Sequence, residues 1–244
     1  MKLIALSLLA AASASVSAAG VSQVAYGSLT GTEVVDFDDI AGGSAPGTNY
    51  DAVFASRGVG FGERFAGQSV TSVGDNDKLT GAPTGGSLTL MPGVAGQNLN
   101  VFFYTTSNVL TGLGIRAFPN GDAIGEGAFA LTFSTGQSQF GFELVGGDGG
   151  TAYVDFFRAD GSMIDSIALG GLSNTFYGFS RDGGLQDIAG ISIWNDDGGG
   201  IGFDNLKHDV KSTVVPGIPE PSTYAFMLAG LGVLGALARR RRQA

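Results

Sequence analysis

The chain has 244 residues, with 13 Lys and Arg, 22 Asp and Glu, one His and no Cys, for a formal net charge of −9. Without Lys2, the four terminal arginines and Glu220, the remainder carries 8 bases against 21 acids, a surface that repels nucleic acid and anionic lipid and suits cations or neutral ligands. The absence of Cys excludes disulfides and thiol chemistry, and a single His excludes a multi-histidine zinc site.

In chain order, Lys2, the apolar run Leu3 to Ala12 and small residues ending in Val16-Ser17-Ala18 predict a secretory signal peptide over residues 1–18. Residues 19–211 then show short β-branched and aromatic segments separated by Gly, Asp, Asn and Pro, with almost no helical periodicity. With 42 Gly and 17 Phe, this is the pattern of an all-β domain, read as one β-sandwich or jelly roll. The first strand candidates are Glu33 to Ile40, Ala52 to Ala55, Val59 to Phe65, Ser87 to Met91 and Asn100 to Thr105.

The clearest alternation lies in Phe129, Leu131 and Phe133, and again in Phe140, Phe142 and Leu144. With Thr135-Gly136-Gln137 between them, the two segments are expected to pair as a hairpin at the centre of a sheet. Thr151 to Arg158 and Met163 to Leu169, joined by Ala159-Asp160-Gly161-Ser162, predict a second hairpin. Asn174 to Ser180, Ile188 to Asn195 and Gly202 to Lys207 complete the strands.

Few constellations carry chemistry. Asp75-Asn76-Asp77 begins like a calcium loop but lacks its Gly and terminal Glu, and reads as a turn. The nonapeptide Gly199 to Lys207 fits a calcium β-roll repeat but occurs once, so its glycines read as a turn into the last strand. His208 is expected in solvent, beside Lys207 and Asp209. Trp194, followed by Asn195-Asp196-Asp197, is either a core aromatic at a strand end or a sugar-stacking platform. No nucleophile motif occurs, so the chain is not expected to be an enzyme; among 21 acids, however, a carboxylate pair for glycoside hydrolysis remains an alternative.

At the C-terminus a linker, residues 212–221, contains Pro219-Glu220-Pro221, extended by its prolines. Residues 222–238 are apolar and uncharged, long enough for a helix of roughly 26 Å that spans a membrane with local thinning. Arg239 to Arg242 in the tail 239–244 place that end in the cytoplasm and the domain outside.

Pro216 to Ala244 resembles the bacterial PEP-CTERM sorting tail, with Ile218 where Val is common in the family. The resemblance implies an exosortase-like membrane protease as partner, an inner-membrane anchor before processing, and a destination at the bacterial surface or in an exopolysaccharide matrix or biofilm. Thr48 to Tyr50, Arg64 to Gln68, Asp155 to Arg158 and Gly202 to Leu206 are similar to exported domains attached to such tails. The last also resembles the closing strand of lectin-like jelly rolls, which implies a carbohydrate-binding module and a Ca2+ site joining Asp204 to Glu33 or Asp36. The competing expectation is that these three acids face solvent; a scaffold without a small ligand is a third class of function.

Overall fold

The computed structural model describes residues 20–214. The signal segment, the Pro219-Glu220-Pro221 motif and the predicted span lie outside the described residues, among which no helix is long and apolar enough to cross a membrane. In the first half the strands are β1 (Val21–Val24), β2 (Glu33–Val35), β3 (Thr48–Tyr50), β4 (Phe54–Ser56), β5 (Val59–Gly62), β6 (Arg64–Phe65), β7 (Ser69–Val73), β8 (Asn76–Thr80) and β9 (Leu90–Met91). Next come β10 (Leu99–Tyr104), β11 (Ser107–Leu113), β12 (Ile124–Gly127), β13 (Phe129–Gln137) and β14 (Gln139–Gly146). The last five are β15 (Thr151–Phe157), β16 (Met163–Gly170), β17 (Thr175–Arg181), β18 (Ile188–Asn195) and β19 (Ile201–His208).

Two antiparallel sheets face each other. One has nine strands, in the order β1-β17-β14-β19-β11-β10-β3, with β2 beside β19 and β12 beside β11; the other has six, in the order β16-β15-β18-β13-β5-β4. Alternation decides which side chains fill the space between them: Phe129 and Leu131 of β13, Phe142 and Leu144 of β14 and Ile191 and Ile193 of β18 are all buried. Aromatic contacts bridge the layers, with ring centroids 4.6 Å apart for Phe129 and Phe203 and 5.2 Å for Phe156 and Phe179. Such fully buried phenylalanines each contribute about 1.5–3 kcal/mol of apolar transfer energy.

The predicted β15–β16 hairpin forms, in register from Thr151 opposite Gly170 to Phe156 opposite Asp165, with a shift before Phe157 meets Met163. The other predicted hairpin does not. β13 pairs with β18 and β5, whereas β14 pairs with β17 and β19 in the opposite sheet. The chain crosses the sandwich at Ser138, where the Asp209 carboxylate accepts the backbone N–H groups of Ser138 and Gln139. Those donors therefore need no hairpin ladder. The apolar faces of β13 and β14 meet across the core instead, with Phe133 and Phe140 6.2 Å apart.

Between β5 and β10 the chain makes an excursion over the outer face of the six-stranded sheet. Phe65, Ala130 and Phe157 form a small second core there with Leu88 and Leu90, and Gln68 Nε2 donates to Ser192 Oγ at 3.2 Å. Strands β7 and β8 pair as a hairpin within this excursion. Only Asp75 of the predicted Asp75-Asn76-Asp77 turn lies in it; Asn76 and Asp77 begin β8 and are buried. Asn76 Nδ2 donates to Asn195 Oδ1 and to the Asp197 carbonyl, both at 3.1 Å, which ties the excursion to β18.

Candidate functional site

The outward positions of the central nine-stranded sheet line a groove. β10 and β11 pair with Phe102 opposite Val109 and Tyr104 opposite Ser107, and β14 sets Glu143 opposite Asp204 of β19. A register shift between Gly141 and Glu143 marks an extra residue in β19, and Asn205 adopts φ 47° there. Asn is among the few residues that tolerate this left-handed conformation. The bulge lets Phe203 and Leu206 both stay in the core while Asp204 and Asn205 address the outer face.

One cavity of about 350 Å³ holds Tyr104, Ser107, Glu143, Asn174, Asp204 and Asn205. A second, of about 330 Å³, shares Tyr104 and Val145 with it and adds Phe102, Ile124 and Ile201. The strip is internally organised: Ser107 Oγ donates to Asp204 Oδ2 at 2.6 Å, and Asn205 Nδ2 donates to Glu143 Oε2 at 2.7 Å. Burial pushes the Asp204 carboxyl above the usual range; the Ser107 hydroxyl and Asn205 N–H oppose this, and the charges of Glu143 and Asp38 add to it. Beside the strip, Phe102 and Tyr104 meet edge to face at 6.1 Å, and Tyr104 remains 44% exposed. Apolar ring faces next to acceptor and donor groups match the two-sided chemistry of a sugar, with C–H faces and hydroxyl edges.

Asp204 is therefore in the groove, but the predicted calcium partners are not beside it. Glu33 sits opposite His208, four positions and about 13 Å along β19 from Asp204. Asp36 forms an ion pair with Arg57 at 3.0 Å. Among the described residues no group of three or more potential ligands could hold a metal. The register of β2 and the Arg57 pairing are the physical reasons the expected trio is not assembled.

Trp194 points outward on β18, half-buried rather than in the core. Its ring stacks on Tyr153 at 4.0 Å with planes 10° apart, and the Lys78 ammonium lies 5.4 Å from its centroid. Protein groups thus occupy the ring that a sugar would need. His208 is buried, not solvated: Nδ1 lies 3.0 Å from the Val210 carbonyl, and the ring packs 5.1 Å from Phe133. Burial lowers its pKa, partly offset by the Val210 carbonyl and the charges of Glu33 and Asp209.

A separate cleft of about 490 Å³ lies within the excursion, closed on one side by Ile115, and is lined by Glu63, Arg64, Gln68 and Asp77 among others. Glu63 is ion-paired to Arg64. Asp77 is pushed up to about 7, first by burial and then by the Glu63 charge, with the Ala128 N–H opposing and Glu126 adding a further increase.

The sandwich and groove define an all-β domain with a ligand-sized surface on its larger sheet. Residues 217–242 match the family model of the PEP-CTERM protein-sorting motif, so the chain carries a tail of the kind recognised by exosortase, a membrane protein, which implies export. No curated protein matches the chain. Among solved structures it is similar to the enzymatically active domain of bacteriophage CBA120 tailspike protein 4, at 19% identity and a TM-score of 0.29. That alignment covers 46% of this chain and 17% of the tailspike chain.

Proposed function

We propose that this is an exported surface or extracellular-matrix protein, sorted through its C-terminal motif, whose domain binds polysaccharide in the groove. The observation that carries the binding reading is the Phe102–Tyr104 pair beside the Ser107, Glu143, Asp204 and Asn205 strip. Tyr104→Ala is expected to weaken binding about tenfold, since a stacked aromatic contributes on the order of 1 kcal/mol beyond its buried area. A glycan screen followed by calorimetry on the best ligand tests this; equal affinity in the variant overturns the placement of the site.

The sorting reading has its own test. Glu220 sits between the two prolines of the matched tail, and Glu220→Ala is expected to leave export intact while blocking C-terminal processing. Comparing the mature masses of the two forms in the host decides it, because identical truncation, or none in either, leaves only an ordinary anchor.

A second reading is favoured by the Glu63–Asp77 cleft, where an acid with a pKa of about 7 stands near a second carboxyl. That pairing suits glycoside hydrolysis, with Asp77 donating a proton to the leaving oxygen and Glu63, beside Arg64, as the second carboxyl. Release of reducing ends from the bound glycan, abolished by Asp77→Asn, separates an enzyme from a binding module.

A further inference from the structure

We propose that the groove ends in a subsite for a protonated amine carried by the polysaccharide, an inference that rests on the carbohydrate reading of the groove. A third cavity, of about 270 Å³, shares Gly121, Ile124, Gly199 and Gly200 with the second. The three therefore adjoin as one trench. Its far end is lined by Asp75, Asp122 and Glu126 with Arg116 as the one base.

Glu126 of β12 is 7% exposed, and its Oε2 has no hydrogen-bond partner. A buried carboxylate oxygen without a donor is costly, and a ligand that brings one relieves the penalty. Arg116 does not supply it, because its guanidinium is engaged by Asp75 at 2.6 Å and Asp122 at 3.3 Å. Backbone closes the rest: a Cβ on Gly114 would lie 3.3 Å from Glu126 Oε2, and one on Gly200 would lie 2.4 Å from the Ile124 carbonyl. Glycine at these two positions lets the backbone pack closely against Glu126 and Ile124.

The charge balance selects the donor. Burial raises the Glu126 pKa, as do the charges of Asp75 and Asp122, while Arg116 opposes them; the field at the subsite is that of excess negative charge. A divalent metal is disfavoured, since Arg116 occupies the same cavity and the acids are not grouped as a metal cage. An ammonium, with three donors and one charge, can satisfy that oxygen once the Glu126 carboxylate turns towards the cavity, and it needs no cage. The ligand class is an amino-sugar polymer with free amines.

The test is calorimetry on the full chain in detergent with chitosan oligosaccharide and with fully N-acetylated oligosaccharide of the same length. The free-amine form is expected to bind about tenfold tighter, the scale of one charge-assisted hydrogen bond, and the preference is expected to vanish above the amine's pKa. Glu126→Gln and, as a second variant at an exposed position, Asp122→Asn are each expected to bring the ratio of affinities towards one, with thermal melting confirming that both are folded. Equal affinities for the two oligosaccharides overturn the subsite and leave the groove standing. A preference that survives both substitutions also overturns it, and binding of neither oligosaccharide nor a neutral glucan overturns subsite and groove together.

Discussion

Phe142→Ala is expected to destabilise the domain by about 3–5 kcal/mol, the usual range for emptying a buried phenylalanine site. The ring is fully buried, and its centroid lies 5.1 Å from Phe203, 5.6 Å from Tyr177, 5.9 Å from Phe140 and 6.0 Å from Phe179. Those neighbours sit on β14, β17 and β19, whose hydrogen-bonded backbones cannot collapse into the void. Set against an ordinary domain stability of about 5–15 kcal/mol, the loss is a large fraction. It should appear as a lower urea midpoint with an unchanged slope. Phe176→Ala, at a ring 50% exposed on the outer face, is expected to change stability by under about 1 kcal/mol. Equal losses at the two positions would contradict the inward direction of Phe142.

Asp77→Asn is expected to stabilise the protein at neutral and alkaline pH, by about 1–3 kcal/mol, and to have little effect in acid. In the unfolded chain an aspartate titrates near about 3.9, whereas in the fold Asp77 is raised to about 7. Between those values the folded state holds a proton that the unfolded state has lost, so stability falls as pH rises through this window. Its contribution is fully present below about pH 4 and gone above about pH 7. Asparagine keeps the shape without the charge, so its advantage should grow across the same window in melting curves taken from acid to alkaline buffer. Glu63, Glu126, Asp155 and Asp204 are raised in the same direction, chiefly by burial. His208 works oppositely: its folded pKa lies below the ordinary 6.5, so its contribution is lost as pH falls beneath that value. A flat difference between wild type and variant across the pH range would mean that Asp77 keeps an ordinary pKa in the fold.

The all-β class and the β15–β16 hairpin were legible because alternation and an Asp160-Gly161 turn are local signals. Which strand an apolar face meets is not local. Phe133 and Phe140 alternate as well for an in-sheet hairpin as for a crossover, and only Asp209, some seventy residues away, takes the N–H groups that decide between them. The strand Ser107–Leu113 and the hairpin β7–β8 went unread because polar residues interrupt their periodicity.

Of the groove, Asp204 could be singled out from the sequence, but its neighbours come from β10, β11, β14 and the segment before β17. The outward Glu143 between Phe142 and Leu144, and the outward Tyr104, were the available signals. Burial of His208 depends on Phe133 closing the end of the sandwich, which no flanking residue announces. The sorting motif was readable because prolines, apolar run and arginines are contiguous.

Strand β19 also acts as a measuring rod. Its Ile201–Asn205 half forms the floor of the groove, and from its other end at His208 the chain runs on towards the sorting tail. Along that exit Thr213 N donates to Ser134 Oγ at 2.8 Å and Val214 N to the Gly58 carbonyl at 2.8 Å, so the departure point is fastened to the six-stranded sheet. The four positions from Asp204 to His208 measure about 13 Å, which separates the end of the strand from the proposed groove. Molecules tethered to a common surface by their tails would present many copies of the proposed groove together. A polymer lying across several of them would be captured by avidity, so that modest affinity at each groove suffices to retain it.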